Sequence, residues 1–321
     1  MSETLGAARS PRPLSAYGGA PARAAQRRTD PRGVSGGVGL TALLVAAARA
    51  IETHRHDSLA ADPYAEHFVR AAPASAHWPV RAEQAGGGDD DPLWGRFARY
   101  FGLRTRVLDD FLLHAVRAGA RQVVLLGAGL DTRAFRLEWP SDPVVYEIDR
   151  AGVLSFKQRV LTGLSAVPGV RRVPVPADLR ADWAGALTGA GFDPALPTAW
   201  LAEGLLFYLS GPVETRLLDA VDGLTAAGGA LAYEVKLEKD LLAYRDSPIY
   251  SATRARLGID LLDLFAKGPR PDSAGGLRAK GWSACAHSPF GFSRRHGRGP
   301  LPEPNDALEG NRWVFAHRPR P

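Results

Sequence analysis

Three acids and a glycine pair each follow a short apolar run in the middle of the chain. Gly127-Ala128-Gly129 follows Val123–Leu126, and Asp149 closes Tyr146-Glu147-Ile148-Asp149. Asp178 stands in Ala177-Asp178-Leu179-Arg180, and Glu203 follows Ala199–Ala202. A glycine directly after a strand lets the chain turn tightly and lets a ligand approach the backbone with no Cβ in the way. Asp149 lies twenty residues after Gly129. An acid at that distance, ending a second strand, is where the two hydroxyls of a ribose are bound, because a carboxylate accepts two hydrogen bonds at once. Asp178 is placed to accept from the exocyclic amine of an adenine, with the Leu179 amide serving the ring nitrogen. It would serve equally as the cap of a helix over 180–186. Glu203 emerges from an apolar strand onto a central crevice, which is costly unless it meets a partner such as an ammonium. Upstream, Arg104-Thr105-Arg106 offers a planar fork for a carboxylate, Arg104 first and Arg106 second.

These positions describe an adenosine site and leave its owner open between a nicotinamide dinucleotide and S-adenosylmethionine. Only the dinucleotide carries a pyrophosphate, which needs the bare N-terminus of a helix. Thr132 stands where a third glycine would be, and Asp131 and Arg133 crowd the same turn, which favours the ligand without pyrophosphate. His67, His77, His114, His287 and His296 fall in no recognisable motif, so no catalytic base is assigned, and no metal set is visible.

The elements that must position these residues alternate. An amphipathic helix begins near Gly39 with Leu40, Leu43, Leu44, Ala47 and Ile51 at helical spacing. The stretch 85–92 reads as a flexible loop. A second helix is expected over 107–118, with Leu108, Phe111, Leu112 and Ala115 inward and Asp109 and Asp110 facing water. Strands are expected at 123–126, 144–148, 172–175, 199–202 and 230–235, with late ones at 282–286 and 313–316. Pro174 weakens the third, since it cannot donate to a ladder. Helices are expected at 153–161 and 212–224, Ser210 capping the latter. Strands alternating with helices mean a doubly wound parallel sheet, which binds ligands at the carboxyl ends of its strands.

With 321 residues and 45% apolar content the chain can bury one large α/β core. No apolar run reaches 18 residues and no apolar leader opens the chain, so the expectation is a cytoplasmic protein without a membrane partner. Cys285 is the single cysteine, which excludes an internal disulfide, and it reads as a small core residue. Of the net charge of +6, a surplus of four comes from six arginines set against Glu3 and Asp30 in residues 1–36. That arm, rich in Gly, Pro and Arg, reads as disordered, and the near-neutral remainder offers no specific nucleic-acid surface.

In order and spacing, LLGAGLDTRAFRL, VYEID, ADLR and AWLAEGLLFYL resemble the leucine carboxyl methyltransferase family, in its actinobacterial branch of S-adenosylmethionine-dependent methyltransferases. The segments TALLVAAARAIETHRHDSLAADPYAEHF and RTRVLDDFLL are similar to that branch as well, so the resemblance spans roughly 39–320. It implies a class I methyltransferase fold: a Rossmann-like, doubly wound seven-stranded sheet with its last strand antiparallel and extra N-terminal helices. The domain would cover 37–321, its helical cap 37–120. The cofactor implied is S-adenosyl-L-methionine, held by Arg104, Gly127, Gly129, Asp149, Asp178, Leu179 and Glu203. The activity expected is methyl transfer to an oxygen, of a carboxylate or a hydroxyl, on a small molecule. A non-catalytic binder of the same cofactor and a protein C-terminal carboxyl methyltransferase are the alternatives, and a nicotinamide oxidoreductase a third.

Overall fold

A computed structural model describes residues 34, 36–237 and 244–320. The strands are β1 (Gln122–Leu126), β2 (Val144–Asp149), β3 (Arg172–Pro176), β4 (Thr198–Ala202), β5 (Ala230–Lys236), β6 (Ser283–His287) and β7 (Asn311–His317). They form one sheet in the order β3-β2-β1-β4-β5-β7-β6. β1 to β5 pair in parallel, and β7 runs antiparallel to both β5 and β6. β1 and β4 are buried along their whole length, as strands covered on both faces must be. Among the described residues β3 pairs only with β2, and an edge strand tolerates Pro174.

The helices are α1 (Val38–Thr53), α2 (Ala65–Ala71), α3 (Trp94–Arg117), α4 (Arg133–Arg136), α5 (Ala151–Gly163), α6 (Trp183–Gly189), α7 (Gly211–Gly223), α8 (Pro248–Leu257), α9 (Leu261–Leu264), α10 (Ser273–Ala279) and α11 (Pro289–His296). Val124, Tyr146, Trp200 and Leu231 share one face of the sheet with Trp183, Leu217 and Leu277 of α6, α7 and α10. Val123, Leu125 and Leu201 pack on the other against Leu108, Phe111 and Leu112 of α3. α1, α2, the first half of α3, α8 and α9 share a further apolar cluster that includes Leu43, Phe68, Trp94 and Ile249. None of the helices among the described residues is long and apolar enough to cross a membrane.

Several expectations need correction. Helix α3 begins at Trp94, thirteen residues before the apolar stripe at Val107 that announces it. Gly102 hides the continuity: a Cβ there would lie 2.5 Å from the buried Glu52 side chain, so only glycine lets α1 and α3 approach. Asp109 does not face water. It is buried and paired with Arg133 at 2.7 Å and Arg136 at 2.6 Å, while Asp110 is exposed as expected. Cys285 is exposed on β6, an edge strand, rather than in the core. The glycine-rich stretch carries a short 3-10 turn at Gly88–Asp90, pinned by an ion pair between Arg55 and Asp89. The helix after Asp178 starts later than the sequence implied and is capped by Asp182, which accepts the Gly185 amide. Ser210 precedes α7 without a side-chain cap bond. The arm over 1–36 lies outside the described residues, apart from Val34 and Gly36.

Candidate functional site

A cavity of about 320 Å³ opens at the carboxyl ends of β1, β2, β4 and β5. That lies within the range of small-molecule pockets, and it falls where an open α/β sheet binds its ligands. All seven positions singled out in the sequence line it: Arg104, Gly127, Gly129, Asp149, Asp178, Leu179 and Glu203. Arg106 does not. It points away on α3 and pairs with Asp110 at 2.9 Å, half-exposed.

The turn after β1 is shaped by its glycines. Gly127 and Gly129 have φ of 66° and 49°, a region that favours glycine. A Cβ on Gly127 would also lie 2.9 Å from Leu205. Asp149 ties this turn to β2: one carboxylate oxygen accepts the Gly129 amide at 2.7 Å, the other the Arg150 amide at 2.7 Å. Burial pushes its carboxyl up, and the two amides oppose that. Each oxygen keeps a lone pair for a further donor. Asp131 accepts the Arg133 amide at 2.7 Å, so the start of α4 is closed by the chain's own carboxylate and offers no bare terminus to a pyrophosphate. Arg49 of α1 donates to the Leu130 carbonyl at 2.7 Å and fastens the helical layer to the same turn.

Beneath the cavity runs a chain of buried charges. Glu203 lies between Arg104 at 3.0 Å and Arg133 at 2.8 Å. Burial works against its ionisation, yet Arg133, Arg104 and Arg49 outweigh it and hold its carboxyl at about 2. Arg133 also pairs with Asp131 and Asp109. Arg104 reaches Glu234 at 2.7 Å and stacks over Phe101 at 4.5 Å, with its Nε buried and unpartnered. Glu234 further accepts from Tyr100 and from Trp313 at 3.2 Å. Asp178 sits at the rim, where bonds from the Arg180 side chain, at 2.6 Å and 2.9 Å, hold it at about 2. Glu147, two residues before Asp149, faces Lys157 at 2.8 Å and Arg172 at 2.7 Å, fully buried.

Sequence reasoning missed Arg49, Glu234 and Lys236, which line the cavity, and read Arg133 only as crowding the turn. Glu234 had a signal: Ala232-Tyr233-Glu234-Val235-Lys236 repeats the pattern of an apolar strand carrying an acid near its end, as in Tyr146–Asp149. Arg133 stands beside Asp131 in the crowded turn, but nothing local shows that it also joins Asp109 and Glu203, which are far from it in sequence. None of the five histidines named above lines the cavity.

This sheet order, with its antiparallel seventh strand and a cavity at the switch between β1 and β4, is that of the class I methyltransferase fold. Two solved structures share the fold: one from Thermobifida fusca described as a "putative methyltransferase" (TM-score 0.50, 18% identity, 79% of this chain and 94% of that one) and a protein of the duf574 family from Streptomyces avermitilis (TM-score 0.51, 13% identity, 83% and 100%). The leucine carboxyl methyltransferase family model matches residues 42–222. A protein of Streptomyces coelicolor is 74% identical over 92% of this chain and 97% of its own length, and one of Saccharopolyspora erythraea 46% identical over 77% and 83%. Both carry the name "Putative S-adenosyl-L-methionine-dependent methyltransferase". The chain therefore belongs to the leucine carboxyl methyltransferase family, and its cofactor is S-adenosyl-L-methionine.

Proposed function

We propose that this enzyme transfers the methyl group to an oxygen of a small, largely apolar molecule. The observation that carries the reading is the mixed lining of one cavity. It joins the glycine turn, Asp149, Asp178 and Glu203 at the strand ends to aromatic rings, among them Phe97, Phe101, Phe207 and Phe265. Several features support the cofactor there: Asp149 keeps a lone pair on each oxygen for a ribose hydroxyl, Asp178 and the Leu179 backbone would serve the adenine, and the Arg104 guanidinium, which lines the cavity, would set its charge against the amino-acid carboxylate. Glu203, held ionised by Arg104 and Arg133, supplies negative charge to the ammonium.

Bound there, S-adenosylmethionine supplies a methyl group on a positive sulfur, so the leaving group needs no acid. The chain aligns the acceptor in line with that methyl and excludes water. The aromatic walls do both. We read residues 37–321 as one domain, with 37–120 closing the acceptor side through α1 and α3.

The test is incubation of the enzyme with methyl-labelled S-adenosylmethionine and a metabolite extract. Label recovered in the protein-free fraction as methyl esters or ethers is the expected result. Label confined to protein, or carried on nitrogen or sulfur, overturns the proposal.

A further inference from the structure

Among the described residues that line the cavity, one group is poised to take a proton. Tyr100 already donates to Glu234, and Tyr208 donates to Thr41 at 3.2 Å. Burial pushes the phenols of Tyr100, Tyr208 and Tyr250 up, which removes them as bases near neutral pH. Glu234 is engaged by Arg104, Tyr100, Trp313 and Asn311. Lys236 is different. It ends β5, lines the cavity and is 9% exposed. Its Nζ donates to the Ala307 carbonyl and to Asn311 Oδ1 at 2.9 Å. A neutral amine has two N–H groups, and these two oxygens satisfy both, so among the described residues no donor takes its lone pair.

The groups around Lys236 come from several elements. Glu234 lies on its own strand with Arg104 and Tyr100 of α3 behind it, and Asp306 and Asn311 approach from before and within β7. Tyr250 of α8 and Tyr244 present ring faces at 5.6 and 5.7 Å, near the outer limit for a cation–π contact. Burial lowers the ammonium to about 8 even against Glu234 and Asp306. An amine in that range exchanges protons at working pH, which suits a general base.

We propose that the methyl acceptor is a neutral hydroxyl on a flat apolar molecule and that Lys236 is the base that takes its proton. This rests on the oxygen-methylation reading and narrows it: a carboxylate needs no base, whereas a hydroxyl does. In the step the acceptor O–H bond breaks and its proton joins the Lys236 amine. The new C–O bond forms as the C–S bond breaks, and the sulfonium leaves as a neutral thioether. Lys236 returns its proton to water after product release.

The experiment uses 7-hydroxycoumarin, a flat phenol whose ionised form has its own absorption band. It is titrated with pH on the full-length protein, with and without S-adenosylhomocysteine. In the wild type the bound dye is expected to ionise about one unit below the free dye, roughly a tenfold change in its acid constant. Lys236→Met is expected to abolish that shift while leaving S-adenosylhomocysteine affinity unchanged. Free-dye behaviour in the bound wild type, the same shift in Lys236→Met, or no dye binding at millimolar concentration overturns the inference. The wild-type titration decides alone if Lys236→Met fails to fold. Alkali-labile methyl esters from the extract experiment would sink this inference while leaving oxygen methylation intact.

Discussion

Replacing Glu203 with glutamine removes the anion that joins two buried arginines, and its cost can be worked from the structure. The carboxyl is held at about 2, against an ordinary 4.5, with Arg104 and Arg133 within 3.0 Å. That difference is worth ~3 kcal/mol of folding stability at neutral pH. Because the folded value lies below the unfolded one, this stabilisation is complete above about pH 4.5 and is lost as the pH falls toward 2; ~2 kcal/mol should remain at pH 3.5. Breaking a buried pair leaves its partners uncompensated, so Glu203→Gln should cost ~3–5 kcal/mol at pH 7. The gap to wild type should then narrow by ~1 kcal/mol at pH 3.5. Urea unfolding of both proteins at the two pH values measures this. A gap under about 1 kcal/mol at pH 7, or one that does not change with pH, would refute the account of Glu203 as the centre of the charge frame.

Two further outcomes separate neighbours in sequence. Asp109→Ala should destabilise the fold by ~3–5 kcal/mol in urea unfolding, since the buried Arg136 loses its carboxylate partner and Arg133 one of three, while the exposed Asp110→Ala should stay within ~0.5 kcal/mol. Arg104→Ala should weaken S-adenosylhomocysteine binding at least tenfold by calorimetry, and Arg106→Ala, two residues on but facing away, should leave it unchanged within about twofold.

How much of this was legible in the sequence follows from the range of the interactions. The strands and the site acids were readable because the signal is local: an apolar run of four or five residues, then a glycine or an acid. Every such run became a strand, and the seven cofactor positions meet in one cavity. Asp109 was misread for the opposite reason. Helical spacing places it beside the exposed Asp110, and nothing local reveals that Arg133 and Arg136, more than twenty residues on, dock over it. The start of α3 was hidden by Gly102, whose reason lies in Glu52 of α1. Cys285 was placed inside because free cysteines usually are, and the sheet order that makes β6 an edge appears in no short window. Lys236 was invisible as a site residue, since its partners Ala307 and Asn311 come from another part of the chain.

The central claim, that the cavity holds S-adenosylmethionine with its ribose on Asp149, is tested most directly by titrating S-adenosylhomocysteine into the wild type and into Asp149→Ala. Two charge-assisted hydrogen bonds are at stake, ~1.5 kcal/mol each, so the variant should bind about a hundredfold more weakly. Affinity in Asp149→Ala equal to that of the wild type would contradict the assignment.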